Sequence, residues 1–324
     1  MNETLDFSLL DAFQRDFPLI SRPYAELARR LGSQESVVMA RLEAMRADGR
    51  ISRIGAVLPP GRFGVSTLVA MALPAERLEE AAAIINTFPG VNHNYERSHQ
   101  FNLWFVLTAG THEALTRTLA CIEQAVETSA LALPLEKGYH IDLGFSLDGQ
   151  AGSRPRSDKA PALSQFRPLQ AAERYLLRAL QNGLAVCERP YAQLGAACGL
   201  DEASVIERLA AWVADGSIKR LGVIVRHREL GFEANAMLVH DIPDDQVDDI
   251  AQALAGESAV TLCYRRPRRG SKWPFNLFCM IHGQCRNAVL GQIAALRDRH
   301  ALAGVPHAVL FSERCFKQTG ARYV

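Results

Sequence analysis

Residues 91–105 read Val91-Asn92-His93-Asn94-Tyr95-Glu96-Arg97-Ser98-His99-Gln100-Phe101-Asn102-Leu103-Trp104-Phe105. In a strand, alternate side chains share a face, so Val91, His93, Tyr95 and Arg97 are expected together. A sheet face packed on helices should be apolar there. This one offers an imidazole, a phenol and a guanidinium in a row, with His99 just beyond. An imidazole titrates near neutrality, so this row could deliver or accept a proton. Taken singly, His93 and Tyr95 also suit hydrogen-bonded core residues, and Arg97 a solvated strand end.

A second stretch, Leu262-Cys263-Tyr264-Arg265-Arg266-Pro267-Arg268-Arg269-Gly270-Ser271-Lys272-Trp273, puts five cations within eight residues, flanked by aromatics. Arg grips carboxylates in bidentate geometry. A flat polycarboxylate would suit a cationic rim of Arg265, Arg266, Arg268, Arg269 and Lys272, with Trp104 and Trp273 as walls. A solvated basic turn or a nucleic-acid patch gives the same composition. The whole chain carries a net charge of only +1, so positive charge is concentrated here. Leu262 falls where His93 stands in the first stretch, so the two are not chemically equivalent. His140 and His282 are further imidazoles.

The elements that must hold these residues are written twice. Arg22-Pro23-Tyr24-Ala25 recurs as Arg189-Pro190-Tyr191-Ala192, and Asp48-Gly49-Arg50-Ile51-Ser52-Arg53-Ile54-Gly55 as Asp215-Gly216-Ser217-Ile218-Lys219-Arg220-Leu221-Gly222. Both pairs lie 167 residues apart, as do Gly64 and Gly231. Phe101-Asn102-Leu103 is echoed by Phe275-Asn276-Leu277 with seven residues added. This spacing exceeds a solenoid unit and indicates two homologous subunits fused in tandem.

Residues 1–58 give helical spacing at Leu5, Leu9, Leu10 and Phe13. Pro23 opens a second helix to Leu31, Gly32 ends it, and Ser33 is expected to cap a third over 34–47. A short strand follows the Asp48-Gly49 turn. This is a winged helix-turn-helix pattern, and 167–225 repeats it. Residues 59–148 then read strand (Thr67–Leu73), helix (Ala75–Thr87), hairpin (Val91–Arg97 and Phe101–Thr108), helix (Thr111–Thr128) and strand (Tyr139–Phe145). The order βαββαβ is ferredoxin-like, and 226–324 repeats it. Residues 149–166 are a Gly/Ser/Pro-rich surface linker. The fold class is therefore α+β in two tandem repeats. The apolar strand faces predict that the halves pack as a pseudo-twofold pair, with one asymmetric pocket.

With 324 residues, 48% of them hydrophobic, and no run of 18 apolar residues, no membrane span is expected. The acidic N-terminus lacks a signal pattern. Seven scattered cysteines without Cys-x-x-Cys fit reduced thiols in a cytoplasm rather than disulfides or a zinc site.

Winged helix plus ferredoxin-like domain is the layout of the Lrp/AsnC-type regulators, which makes a ligand-responsive transcription factor one reading. The recognition helices argue against it. Residues 33–47 carry Glu35, Arg41, Glu43 and Arg46, net zero, and 201–214 carry Asp201, Glu202, Glu207 and Arg208, net −2. DNA affinity rests on phosphate neutralisation, so no specific DNA binding is expected.

The hairpin strings resemble the fused NirD–NirL type siroheme decarboxylases, related to the paired Ahb proteins of the alternative haem pathway. His93-Asn94-Tyr95 with Phe101-Asn102-Leu103-Trp104-Phe105 is similar to the D-type half. Leu262-Cys263-Tyr264-Arg265-Arg266-Pro267-Arg268, Asn276-Leu277-Phe278-Cys279-Met280-Ile281-His282 and Cys315-Phe316-Lys317-Gln318 are similar to the L-type half. Gln100-Phe101 stands where that family often has an acid and Tyr. The resemblance implies decarboxylation of two siroheme acetates to methyls in heme d1 biosynthesis. It needs no organic cofactor, since the substrate carries the iron. His93 is then a general acid or a ligand of that iron, beside Tyr95, Arg97 and His99. Asn102, Trp104, Tyr264, Arg265, Arg266, Arg268, Arg269, Lys272, Trp273 and His282 would hold substrate. Further homodimerisation and contact with other heme d1 biosynthesis proteins are also compatible with it.

Overall fold

The computed structural model describes residues 2–59, 61–141, 169–226 and 234–323. The expected linker at 149–166, Gly231 and positions 142–145 lie outside the described residues. The described part is mixed α/β, in two repeats that form two layers.

The helical layer begins with α1 (Asn2–Ala12), α2 (Pro23–Leu31), α3 (Glu35–Ala47) and β1 (Ile51–Val57). The second half supplies α6 (Ala171–Gln181), α7 (Pro190–Cys198), α8 (Glu202–Ala214) and β7 (Arg220–Val225). Pro23 and Pro190 start their helices, where a missing N–H costs nothing. Gly32 ends α2 at φ 61°, a left-handed conformation open to glycine. Ser33 does not cap α3. Its N–H closes α2 on Ala28 O at 2.9 Å, and Gln34 precedes α3 without a side-chain cap.

The repeated Arg-Pro-Tyr-Ala string ties the halves together. Tyr24 donates its hydroxyl hydrogen bond to Ala185 O and Tyr191 to Pro18 O, each at 2.8 Å and each across to the other half. Strands β1 and β7 pair antiparallel. Leu42 and Met45 share one core with Leu209 and Trp212.

The sheet layer comprises β2 (Val65–Met71), α4 (Leu78–Asn86), β3 (Val91–Arg97), β4 (Leu103–Ala109), α5 (His112–Val126), β5 (Leu131–Pro134) and β6 (Lys137–Ile141). Its second half comprises β8 (Ala234–His240), α9 (Val247–Ala255), β9 (Val260–Arg265), β10 (Leu277–Gly283), α10 (Arg286–Arg299) and β11 (His307–Gln318). The strand order is β5-β2-β4-β3-β11-β8-β10-β9-β6.

The expected last strand of the first half, Tyr139–Phe145, needs correction. The strand that completes that half is β5, beside β2. Only Leu135 and Glu136 separate it from β6, which pairs with β9 of the other half. Strand β11 does the converse: His307–Phe311 pairs with β8, and Ser312–Gln318 with β3. Each half thus lends the end of its chain to the other's outer strand. The crossings relate the halves by a pseudo-twofold, and they pair edges that would otherwise stand open.

Candidate functional site

A cavity of about 720 Å³ lies between the sheet and the helical layer and draws its lining from both halves. The first hairpin contributes His93, Tyr95, Arg97 and Trp104, and the second contributes Tyr264, Arg266 and His282.

Val91 does not share their face. Pairing slips between Val91 and His93 against β4, so Val91 turns into the core with Leu78 and Ile122. The same bulge brings Asn92 to the cavity beside His93. Strand β9 and the residue after it present Thr261, Leu262, Tyr264 and Arg266 where β3 presents Asn92, His93, Tyr95 and Arg97.

His93 is half-buried, with Nδ1 2.6 Å from Asn92 Oδ1. The Asn92 amide nitrogen reaches Thr108 Oγ1 at 3.4 Å, which turns its oxygen toward the ring. A carbonyl oxygen only accepts, so Nδ1 carries the proton and Nε2 is the basic nitrogen. Burial, helped by the Arg53 guanidinium, holds the imidazole down to about 4. Tyr95 stacks on it at 6.3 Å, and burial beside Cys315 pushes that phenol up.

Arg97 is almost fully buried; it donates to Leu310 O at 3.1 Å and lies 5.9 Å over the Tyr95 ring. Its counterpart Arg266 donates to Leu133 O and lies 4.6 Å over the Tyr264 ring. Burial lowers the pKa of both guanidiniums, and of Arg53. None of the three has a carboxylate partner among the described residues, and the Nε of each is buried without an acceptor. Buried charge without compensation is costly, so these guanidiniums form a receptive surface for anions.

Four more cations line the cavity that the sequence did not single out: Arg53, Arg220, Arg226 and Lys317. The repeat held a signal for two of them, since Arg53 and Arg220 occupy the same place in its two copies. Six cations therefore face one cavity whose described lining includes no Asp or Glu.

Most of the basic turn goes elsewhere. Arg265 pairs with Glu136 at 3.1 Å and Asp244 at 3.0 Å, and Arg268 with Asp241 at 2.7 Å and Asp244 at 2.9 Å. Arg269 donates to Ala132 O at 2.9 Å, and Lys272 is exposed. Acids just after β8 neutralise this turn and fold it against the sheet. None of these four residues lines the cavity.

Trp273 is fully buried behind Trp104, 5.1 Å between rings, so it backs the cavity wall rather than forming it. Asn102 is spent on the backbone: its oxygen accepts from Leu73 N at 3.0 Å and its nitrogen donates to Leu73 O at 2.8 Å. Asn276 clamps Ile242 in the same way, which explains the repeated Phe-Asn-Leu string. His99 Nδ1 accepts from Phe101 N at 3.1 Å and packs edge-on to Trp273. His140 sits on β6 opposite Cys263, outside the cavity lining. No group of three His, Cys, Asp or Glu residues suited to hold a metal occurs among the described residues.

The chain matches the family described as "AsnC-like ligand binding domain" over residues 62–140 and 229–317. It matches the family described as "Siroheme decarboxylase NirDL-like HTH domain" over 6–51 and 173–218. It is 44% identical to the siroheme decarboxylase NirDL subunit of Paracoccus denitrificans, across 98% of this chain and 97% of that one. Its structure is similar to the crystal structure of the siroheme decarboxylase NirDL, with a TM-score of 0.71 and 26% identity over 98% of this chain and 94% of that one. It is equally similar, at 25% identity, to NirDL in co-complex with an iron-uroporphyrin III analogue, over 100% and 94% of the respective chains. Its two fused halves, its shared cavity and its near full-length relatives lead to one conclusion: the chain belongs to the NirDL family of siroheme decarboxylases.

Proposed function

We propose that this protein removes CO₂ from two acetate side chains of siroheme, converting them to methyls and giving didecarboxysiroheme for heme d1 biosynthesis. The observation that carries this reading is the cavity itself, with six cations and no acid in its described lining. A polycarboxylate macrocycle meets that charge, and Trp104, Tyr95 and Tyr264 offer it flat apolar surface. The relative crystallised with an iron-uroporphyrin III analogue supports a tetrapyrrole as the occupant.

In the reaction the acetate C–C bond breaks, CO₂ leaves, the electron pair enters the ring system, and the methylene carbon takes a proton. Iron stays with the substrate. Arg53, Arg97, Arg220 and Arg266 hold carboxylates and fix the ring in place. His93 acts through Nε2. With its pKa held down to about 4 by burial, it is neutral at pH 7. Incoming carboxylates favour its cationic form, so substrate brings the proton that the imidazole then delivers. A second role, ligation of the substrate's iron through Nε2, draws on the same tautomer. Loss of an axial-ligand absorption change in His93→Ala would favour it.

The finer architecture we read as a winged helix-turn-helix and a ferredoxin-like domain in each half, bounded at 1–58, 59–148, 167–225 and 226–324. The strand orders β5-β2-β4-β3 and β11-β8-β10-β9 support it. The helix-turn-helix modules serve as the roof of the cavity rather than as DNA readers. Helix α3 has both its cations in ion pairs, Arg41 with Asp6 and Arg46 with Glu43, and α8 has Arg208 with Glu173. Little cation charge remains there for phosphates.

The test is anaerobic incubation with siroheme, followed by mass spectrometry. Loss of two CO₂ per macrocycle is expected, with no retardation of promoter DNA. Tight siroheme binding without any CO₂ loss, together with sequence-specific retardation, would establish a regulator instead.

A further inference from the structure

The cavity is lined by two imidazoles, and the second is not accounted for by the scheme above. We infer that His282, oriented by Asn235, is a second proton donor, serving one acetate while His93 serves the other. This rests on the decarboxylase reading.

The pseudo-twofold relates the two imidazoles. Ser66 pairs with Thr108 between β2 and β4, and Asn235 pairs with His282 at the same place between β8 and β10. His282 therefore stands where the first half has Thr108. Thr108 is the residue that Asn92, the partner of His93, touches. Within the repeat the two imidazoles thus occupy nearby places, on adjacent strands and two residues apart in register. At the position of His93 itself the second half has Leu262, so its imidazole comes from the neighbouring strand.

The surroundings match as well. Asn92 Oδ1 faces Nδ1 of His93, and Asn235 Oδ1 faces Nδ1 of His282. In both, the amide oxygen fixes the proton on Nδ1 and makes Nε2 the basic nitrogen. Both amides and both imidazoles line the one cavity. Such a repeated pair has no packing reason to recur on different strands. A shared chemical task gives one.

The reaction supplies that task twice. For each acetate, one C–C bond breaks, CO₂ departs and one C–H bond forms from a delivered proton; no oxidant or reductant enters. A rigid macrocycle carries its acetates at separate edges. One strand-held imidazole reaches one edge, and a donor in the opposite half reaches another without release and rebinding.

The experiment is a single-turnover reaction of the full chain with siroheme, with products separated by the number of CO₂ lost. His282→Ala is expected to accumulate the product of one decarboxylation, with the other step slowed about 10²–10⁴-fold. His93→Ala should impair the other acetate, giving a regioisomeric intermediate distinguishable by NMR. Asn235→Asp, which sets a carboxylate against Nδ1, should move the pH profile of the His282-dependent step upward and leave the other in place. An Asn235 of purely structural importance would not move one profile alone. A variant that still loses one CO₂ is folded, so misfolding cannot mimic the result. Full didecarboxylation by His282→Ala at the wild-type rate, or equal slowing of both steps, overturns the inference. Absence of CO₂ loss in the wild type overturns the decarboxylase reading, and this inference falls with it.

Discussion

The hairpin β3–β4 and the hairpin β9–β10 share one frame and spend their polar residues differently. The first is modest in charge, yet His93, Tyr95 and Arg97 all face the cavity. The second carries five cations in eight residues, yet only Arg266 among them does. Arg265 and Arg268 are held by Glu136, Asp241 and Asp244. Charge density along a sequence therefore does not mark which cations face the cavity. The cations that do face it include Arg97 and Arg266, which have no acid beside them among the described residues and occupy equivalent places in the two hairpins.

The comparison breaks most visibly at His93. His93→Ala should slow decarboxylation of the acetate it serves about 10²–10⁴-fold while leaving the fold intact. Leu262→Ala, at the equivalent place, should lose only packing and retain most activity. The readout is the rate of that step, with products separated by CO₂ lost, and circular dichroism is the control for folding. Equal losses in the two variants would mean that His93 is there for packing.

A smaller effect sharpens the contrast within the second hairpin. Arg266→Leu removes a buried, acid-free guanidinium. It should weaken tetrapyrrole binding by about 1.5–3 kcal/mol, as for a charge-assisted contact, or about ten- to a hundredfold in Kd. Arg268→Leu removes a cation already satisfied by Asp241 and Asp244, and its effect on Kd should be within about twofold. Spectroscopic titration measures both. A larger loss for Arg268 would restore the basic turn as the clamp.

The halves, the hairpins and the order of elements were legible because each leaves a local pattern: a repeated string, a change of period, a proline at a helix start. The row of His93, Tyr95 and Arg97 was legible for the same reason, as polar residues at alternate positions of a strand. What sequence could not supply was pairing at a distance. Nothing near Arg268 announces Asp241, 27 positions away. Nothing near Asn102 announces Leu73, whose backbone it clamps across 29 positions. Val91 was misplaced because a bulge is invisible to strict alternation. Arg53 and Arg220 were visible in the repeat but sat in a module whose fold suggests DNA. Their place in the cavity follows only from the stacking of the two layers.

The smallest expected effect concerns acid, and it separates the same two halves. His93 in the first half is held down to about 4 and His240 in the second to about 3, both chiefly by burial. Neither ring nitrogen of His240 has a hydrogen-bond partner among the described residues, and its ring lies 5.9 Å from that of His307. In the unfolded chain both imidazoles titrate at about 6.5. Between these values the unfolded state binds more protons than the folded one. Stability is therefore full above about pH 6.5 and is lost as pH falls toward the folded values. The two sites differ in what can reverse this. A polycarboxylate in the cavity favours His93 in its charged form, whereas His240 lies in the strand core, away from the cavity. Thermal midpoints from pH 7.5 down to 5 should fall less steeply in His240→Leu than in the wild type, with or without ligand. In His93→Gln the decline should also be shallower without ligand, and the pH dependence of ligand stabilisation should weaken with it. A His240→Leu profile parallel to the wild type would show that the buried imidazole does not set acid sensitivity. A His93→Gln variant stabilised by ligand with unchanged pH dependence would show that substrate does not bring its proton to His93.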